Sequence, residues 1–179
     1  MPADDAAILC WEGKYGYSFW RPITAIREAD LDDNPDTTPD RDWDSLLTTP
    51  PFPSYASGHS TFSGAAATAL ARFVGSDAMR FTIGSEATPG TTRSFDGFWA
   101  AAQEAGRSRI YGGIHYEFDN AAGLSSGRAL AEYIAGRFML PLDGVAATSA
   151  KLIPAHRRPF SAGLADRPRG EPRLTLGGR

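Results

Sequence analysis

Helical periodicity interrupted by proline and glycine is the feature of this sequence that most restricts its fold. Apolar residues recur at helical spacing in four stretches. We predict helices over residues 5–29 with a break at Pro22, 59–74, 95–110 and 118–139. Residues 76–94 look irregular, with a possible short extended piece at 80–83. The sequence therefore predicts an all-α bundle of four to five helices with almost no sheet.

Composition places the chain among ordinary globular domains. It has 179 residues, of which 42% are apolar and 22% charged, which excludes fibres and full-length disorder. Its single cysteine, Cys10, excludes an internal disulfide. No apolar run is long enough to predict a membrane span. The first 15 residues begin with acidic side chains and lack a signal pattern, so by default we expect a cytoplasmic protein.

Charge divides the chain near residue 144. Residues 1–144 carry 11 basic and 19 acidic side chains, a net −8, whereas residues 145–179 carry 7 and 2, a net +5. A basic segment can bind nucleic acid, but this one lacks apolar periodicity and interleaved aromatic residues. We therefore expect a helical domain over residues 1–142, a disordered basic tail rich in Pro, Arg and Gly over residues 143–179, and no nucleic-acid partner.

Two cations form the first of three motifs. Lys14 and Arg21 are seven residues apart, close to two helical turns, so a straight helix would place both on one side at a separation of ~10 Å. Alone, this spacing is typical of two solvated surface cations. Trp11 and Trp20 lie close by in the sequence and favour a more sheltered position.

The second motif is Ser57-Gly58-His59 at the expected start of a helix. Free backbone amides and the helix dipole favour an anion there, and Gly58 permits close approach of the backbone. Ser57 can cap the helix or donate a hydrogen bond. His59 has a pKa suited to proton transfer near neutrality. As an isolated tripeptide, the motif would be an ordinary helix cap.

The third motif joins Arg109, His115 and Asp119. A histidine and an aspartate four residues apart can meet on one helical turn. The carboxylate then fixes the tautomer and leaves the other ring nitrogen basic, which prepares a nucleophile or a metal ligand. Arg109 adds a planar fork that matches an oxyanion. Separately, His115 could be a core histidine and Arg109 a helix-end cation.

In this order, the three motifs resemble those of the vanadium-dependent haloperoxidases and of the type 2 phosphatidic acid phosphatase superfamily that contains them. The resemblance covers about residues 8–140 and is closest to the haloperoxidase branch at residues 50–59 and 109–119. Two departures stand out. Ala56 replaces the proline that the family usually has, and such enzymes are usually about twice as long, so the chain resembles their C-terminal, ligand-bearing half.

The resemblance implies vanadate as the cofactor and assigns roles to the motif residues. His115 would bind the vanadium, supported by Asp119, and His59 would act as the acid–base group. Lys14 would polarise bound peroxide. Trp11 and Phe52 lie where haloperoxidases place aromatic side chains near the cofactor. The residues implied to hold the oxyanion are Lys14, Arg21, Ser57, Gly58, Arg109 and His115.

Three functions follow as alternatives. The first is a haloperoxidase whose partners are hydrogen peroxide and a halide, which Trp11 and Phe52 favour. The second is a phosphatase in which His115 attacks a phosphate ester to form a phosphohistidine and His59 protonates the leaving alcohol. The third is a non-catalytic oxyanion-binding fragment, whose exposed apolar surface would be covered in a homo-oligomer.

Overall fold

Five α-helices and one short hairpin form the part of the chain that the computed structural model describes, residues 2–86, 88–138 and 140. These residues belong to a single unit spanning Met1–Ala147. The predicted helical bundle is confirmed. Its elements, in order, are α1 (Pro2–Tyr17), α2 (Pro22–Arg27), a 3-10 turn (Ala29–Leu31), α3 (Gly58–Val74), β1 (Phe81–Ser85), β2 (Thr88–Phe95), α4 (Phe98–Tyr111) and α5 (Glu117–Ala135).

The predicted break at Pro22 separates two helices. α1 ends at Tyr17, and Ser18 adopts a positive φ of 47°. Pro22 then occupies the first turn of α2, where its missing N–H leaves no helical hydrogen bond unmade. Arg21 is the N-cap of α2 and has an extended backbone conformation, so it lies outside α1. The two cations of the first motif therefore do not share one straight helix, as their spacing had suggested.

The prediction that residues 76–94 are irregular was wrong, although its possible extended piece at 80–83 overlaps β1. This segment holds β1 and most of β2, which pair antiparallel with Phe81 opposite Phe95. Nearly every residue of both strands is exposed, so the segment carries no alternation of apolar and polar residues from which a strand could be predicted. Because Phe95 ends β2, α4 begins at Phe98 and not at residue 95.

Helices α3 and α5 pack closely because small residues line their contact. A Cβ atom at Gly64 would lie 2.7 Å from the carbonyl oxygen of Leu124, and one at Gly127 would overlap the carbonyl oxygen of Thr61. Beside this contact, three alanines form a buried cluster against which Leu130 packs: Ala6, Ala65 and Ala131. The cluster brings α1 against both helices.

The segment between the 3-10 turn and α3 is held by hydrogen bonds to several parts of the chain. Leu47 N donates to Gly112 O (3.0 Å), Ser54 N to Phe19 O (2.8 Å), and Ser57 N to Asp119 O (3.1 Å). These bonds hold residues 47–57 against the α1–α2 connection, the end of α4 and the start of α5. All three sequence motifs lie next to this segment.

Two sequence predictions concern the ends of elements and of the chain. α5 ends at Ala135, before the predicted end at residue 139, and Gly136 follows it. The predicted basic tail over residues 143–179 lies outside the described residues.

None of the described helices has both the length and the hydropathy needed to cross a membrane.

Candidate active site

A cavity of about 560 Å³ brings together side chains from all three motifs. Of the ten site residues predicted from the sequence, eight line it: Trp11, Lys14, Arg21, Phe52, Gly58, His59, Arg109 and His115. The other two, Ser57 and Asp119, are fully buried. Each makes contacts with cavity residues or their neighbours.

His115 and Asp119 form a buried pair at the start of α5. The two residues meet as their spacing predicts, but His115 precedes the helix and Asp119 lies in its first turn. His115 Nδ1 is 2.8 Å from Asp119 Oδ2, and the carboxylate is completely buried. Burial lowers the pKa of His115, and the hydrogen bond to Asp119 opposes this shift.

The second ring nitrogen of His115 faces Arg21. Arg21 Nη1 lies 3.0 Å from His115 Nε2. A guanidinium group can only donate, so Nε2 is the acceptor and carries no proton. The proton of the neutral ring is therefore on Nδ1, where Asp119 accepts it. This is the tautomer that a metal ligand or a nucleophile at Nε2 requires.

Lys14 holds a backbone loop with its ammonium group. It is 2% exposed, and its Nζ donates to the carbonyl oxygens of Pro53 (3.0 Å), Ser54 (2.9 Å) and Ala56 (2.7 Å). These three bonds use all the protons of an ammonium. Burial lowers the pKa of Lys14 to about 8. The implied role in polarising peroxide thus has to compete with a role in holding residues 53–56.

Arg21 is tied to the same loop. Its Nε donates to Phe52 O (2.9 Å), and its Nη2 donates to Pro53 O (3.3 Å). The Phe52 ring lies 5.0 Å from the Arg21 guanidinium and 5.3 Å from Lys14 Nζ. Trp11 contacts the ring edge to face, at 4.8 Å between centroids. Both predicted aromatic residues therefore contact the site, since Phe52 packs against two of its cations.

The second motif forms the first turn of α3. Ser57 is the N-cap, and its hydroxyl oxygen accepts from Ser60 N (3.4 Å) and Ser60 Oγ (2.9 Å). Ser60 Oγ also donates to Asn120 Oδ1 (2.8 Å), so the Ser57–Ser60–Asn120 side chains form one buried chain of hydrogen bonds. The amides of Gly58 and His59 belong to the helical turn in which the backbone itself supplies no acceptor.

His59 lies at the exposed side of the cavity and contacts Arg109. Arg109 Nη1 donates to His59 Nε2 over 2.8 Å, so this histidine too is neutral with its proton on Nδ1. Desolvation and the positive charge of Arg109 lower the pKa of His59. Arg109 Nε is buried and has no hydrogen-bond partner within the described part of the chain. Arg109 therefore keeps an unused donor.

Ser54 is a residue that the sequence analysis missed. It is fully buried, and its hydroxyl donates to Asp119 Oδ2 in a short hydrogen bond. Tyr116 N also donates to this oxygen, over 3.3 Å. Serine occurs in many loops, and no spacing relative to His115 or Asp119 marked Ser54 as part of the site.

The donor set of the cavity fits an oxyanion such as vanadate. Lys14, Arg21 and Arg109 are positive, and the only carboxylate among the predicted site residues is Asp119, behind His115. His115 Nε2 carries an unprotonated lone pair that now accepts from Arg21 Nη1, and Arg109 Nε is a buried donor with no partner among the described residues. No group of three or more His, Cys, Asp or Glu residues suited to a bare metal ion occurs among the described residues.

Comparison with known proteins identifies the family. The profile described as the VCPO second helical-bundle domain matches residues 1–144. Vanadium chloroperoxidase from Curvularia inaequalis is 29% identical over 160 residues, covering 66% of this chain and 26% of that protein.

Solved structures show the same relationship. A bacterial vanadium-dependent iodoperoxidase superposes with a TM-score of 0.66 and 40% identity, covering 75% of this chain and 31% of that one. A holo-type bacterial vanadium-dependent chloroperoxidase, at 24% identity and a TM-score of 0.60, shares the fold over 73% of this chain and 32% of that one. The chain thus spans about a quarter to a third of the length of these relatives. It belongs to the family of the second helical-bundle domain of vanadium chloroperoxidase.

Proposed function

We propose that this chain carries the vanadate site of a haloperoxidase that oxidises a halide with hydrogen peroxide. The observation that carries the proposal is the contact between Arg21 and His115, which leaves His115 Nε2 unprotonated in a cavity lined by three cations. Membership of the family supports vanadate as the cofactor. Vanadate would act as a Lewis acid towards peroxide without changing its own oxidation state.

The proposed binding roles follow from charge and from unused donors. His115 Nε2 would be the ligand of the vanadium once Arg21 Nη1 releases it. Arg21 and Arg109 would neutralise oxyanion oxygens, the second through its free Nε. The first-turn amide of Gly58 and the Ser57 hydroxyl would add hydrogen bonds.

His59 would move the proton. It is neutral, lies at the exposed side of the cavity and is held by Arg109. A neutral imidazole can accept a proton from peroxide and return it to a leaving oxygen. Trp11 and Phe52 would form an apolar wall that limits the access of water to the same space.

We propose a mainly structural role for Lys14. Its ammonium makes three bonds to the loop over residues 53–56. We assign it chiefly to holding this loop and to contributing positive charge. A direct contact with peroxide would require at least one of the three carbonyl bonds to break.

Steady-state assays test the proposal against its rivals. The chain, incubated with orthovanadate, is expected to halogenate a phenol-type dye in the presence of peroxide and bromide. Iodide is assayed alongside, because one structural relative is an iodoperoxidase. His115→Ala is the control that should abolish turnover.

Two other outcomes would contradict the proposal. Hydrolysis of an aryl phosphate that vanadate inhibits, without halogenation, would assign the site to a phosphatase. If vanadate binds but neither activity is detected, the chain would be an oxyanion-binding piece. This outcome would agree with the observation that the chain covers only 26% of the vanadium chloroperoxidase from Curvularia inaequalis. The oligomeric state, measured by light scattering in the same samples, tests the homo-oligomer expected in that third case.

A further inference from the structure

We propose that Ser54 is a positioning residue, whose hydroxyl holds the Asp119 carboxylate in line with His115 Nδ1–H and thereby orients the ring towards the cavity. The Ser54 hydroxyl donates to Asp119 Oδ2, the same oxygen that accepts from His115 Nδ1. Ser54 Oγ is also 3.3 Å from His115 Nδ1. The three side chains thus form a closed triangle of contacts.

The hydrogen bonds to Asp119 are unevenly distributed. Oδ2 accepts from Ser54, from His115 Nδ1 and from Tyr116 N, whereas the buried Oδ1 has no partner within the described residues. No described donor on the Oδ1 side holds the carboxylate against rotation about its Cβ–Cγ bond. The Ser54 hydroxyl opposes that rotation, because a turn of the carboxylate would break its bond to Oδ2.

The backbone of Ser54 fixes the hydroxyl in place. Its N–H donates to Phe19 O (2.8 Å), and its carbonyl accepts from Lys14 Nζ (2.9 Å). The residue is fully buried, so its side chain has no access to solvent as an alternative partner. Ser54 therefore connects Lys14 of α1 to the Asp119–His115 pair at the start of α5.

Hydroxyl deletion tests this role. In Ser54→Ala we expect the His115 Nδ1–H proton, followed by nitrogen-15 NMR in the absence of vanadate, to exchange with water at least ~10-fold faster. The Kd for orthovanadate in equilibrium dialysis should rise by ~10-fold, the lower end of the range for losing an outer partner of a ligating histidine. Ser54→Thr, which keeps the hydroxyl, should restore both values to within ~3-fold of those of the unaltered chain.

The control removes a buried hydroxyl elsewhere. Thr68 Oγ1 donates to Gly64 O within α3, away from the cavity. Thr68→Val should leave the His115 proton and the vanadate Kd unchanged. If loss of any buried hydroxyl were enough to change the His115 proton exchange and the vanadate Kd, Thr68→Val would change them too. A change in Ser54→Ala alone therefore reports the effect of Ser54 on His115.

Only the vanadate readout rests on the proposed function. If the unaltered chain binds no vanadate, that function fails while the NMR comparison still decides the role of Ser54. Unchanged exchange of the His115 proton in Ser54→Ala would overturn the inference. Should Ser54→Ala fail to fold, Ser54→Cys, a weak donor of similar size, replaces it with the same criterion. A His115 ring protonated at Nε2 in the unaltered chain would overturn the inference without any variant.

Discussion

Arg21 Nη1 donates a hydrogen bond to His115 Nε2 over 3.0 Å, joining a side chain between α1 and α2 to one at the start of α5. The bond gives the unprotonated nitrogen of His115 a partner in the protein. It also places a positive charge beside the position at which we propose that an oxyanion binds. When an oxyanion takes the place of Arg21 at Nε2, the Arg21 guanidinium exchanges a neutral imidazole acceptor for a negatively charged oxygen. Hydrogen bonds to a charged acceptor are stronger, so this exchange favours binding.

Removal of the imidazole of His115 should weaken vanadate binding. We expect His115→Ala to raise the Kd for orthovanadate by more than tenfold, equivalent to more than about 1.4 kcal/mol. Equilibrium dialysis measures this directly. The matched variant His59→Ala should keep binding within about threefold but lose turnover by ~10²–10⁴, the usual contribution of an acid–base group. Equal binding by His115→Ala and the unaltered chain would remove His115 from the site.

The pKa of His59 should depend on Arg109. Desolvation lowers the pKa of His59 below its ordinary 6.5, and the Arg109 charge lowers it further. In Arg109→Gln the desolvation remains while the charge is lost, so the pKa of His59 should rise towards 6.5. NMR titration of the imidazole resonances measures the change. A pKa that stays constant or falls would show that the guanidinium does not act on this histidine.

Replacement of Lys14 should destabilise the fold. Lys14→Met removes the Nζ donor from the carbonyl oxygens of Pro53, Ser54 and Ala56, of which Pro53 O keeps its bond from Arg21 Nη2. We expect the free energy of unfolding to fall by about 2 kcal/mol, given ~1–3 kcal/mol for an unsatisfied buried group and the gain from removing a buried charge. Urea denaturation is the measurement. Arg41→Met, which removes an exposed ion pair with Asp30, should change stability by less than about 1 kcal/mol.

Lys14 should also make stability depend on pH in the alkaline range. Its pKa is about 8 in the fold and 10.5 in its ordinary state, so between these values the unfolded chain binds more protons. The free energy of unfolding contributed by Lys14 therefore rises as the pH increases from about 8 to 10.5. The rise should be absent from Lys14→Met. A parallel pH dependence of the two proteins would contradict the assigned pKa.

Two glycine substitutions should have opposite effects. A Cβ at Gly127 would overlap Thr61 O and lie 2.9 Å from Ala65 N, so Gly127→Ala should force α3 and α5 apart and reduce stability by ~1–3 kcal/mol. Gly13 lies within α1 with nothing within 4 Å of the added atom, so Gly13→Ala should stabilise by ~0.5–1 kcal/mol. Equal effects in urea denaturation would contradict the packing described for α3 and α5.

Local spacing accounts for what could be predicted from the sequence. The N-cap at Ser57 and the pairing of His115 with Asp119 depend on residues within one turn or its approach, and both are present. Only a short extended piece at 80–83 was predicted in the hairpin, and β2 was missed, because the exposed residues show no alternation. Ser54 and the carbonyl contacts of Lys14 depend on the path of the loop over residues 47–57, between groups that are 39 or more positions apart. Local sequence patterns do not predict contacts between residues so far apart in the chain.

The crystal structure of the chain soaked in orthovanadate would test the central claim most directly. We predict vanadium density at His115 Nε2, with Arg21 and Arg109 contacting the oxygens of the bound oxyanion. Full occupancy at another position, or a His115 that retains its Arg21 contact while vanadate binds elsewhere, would contradict it.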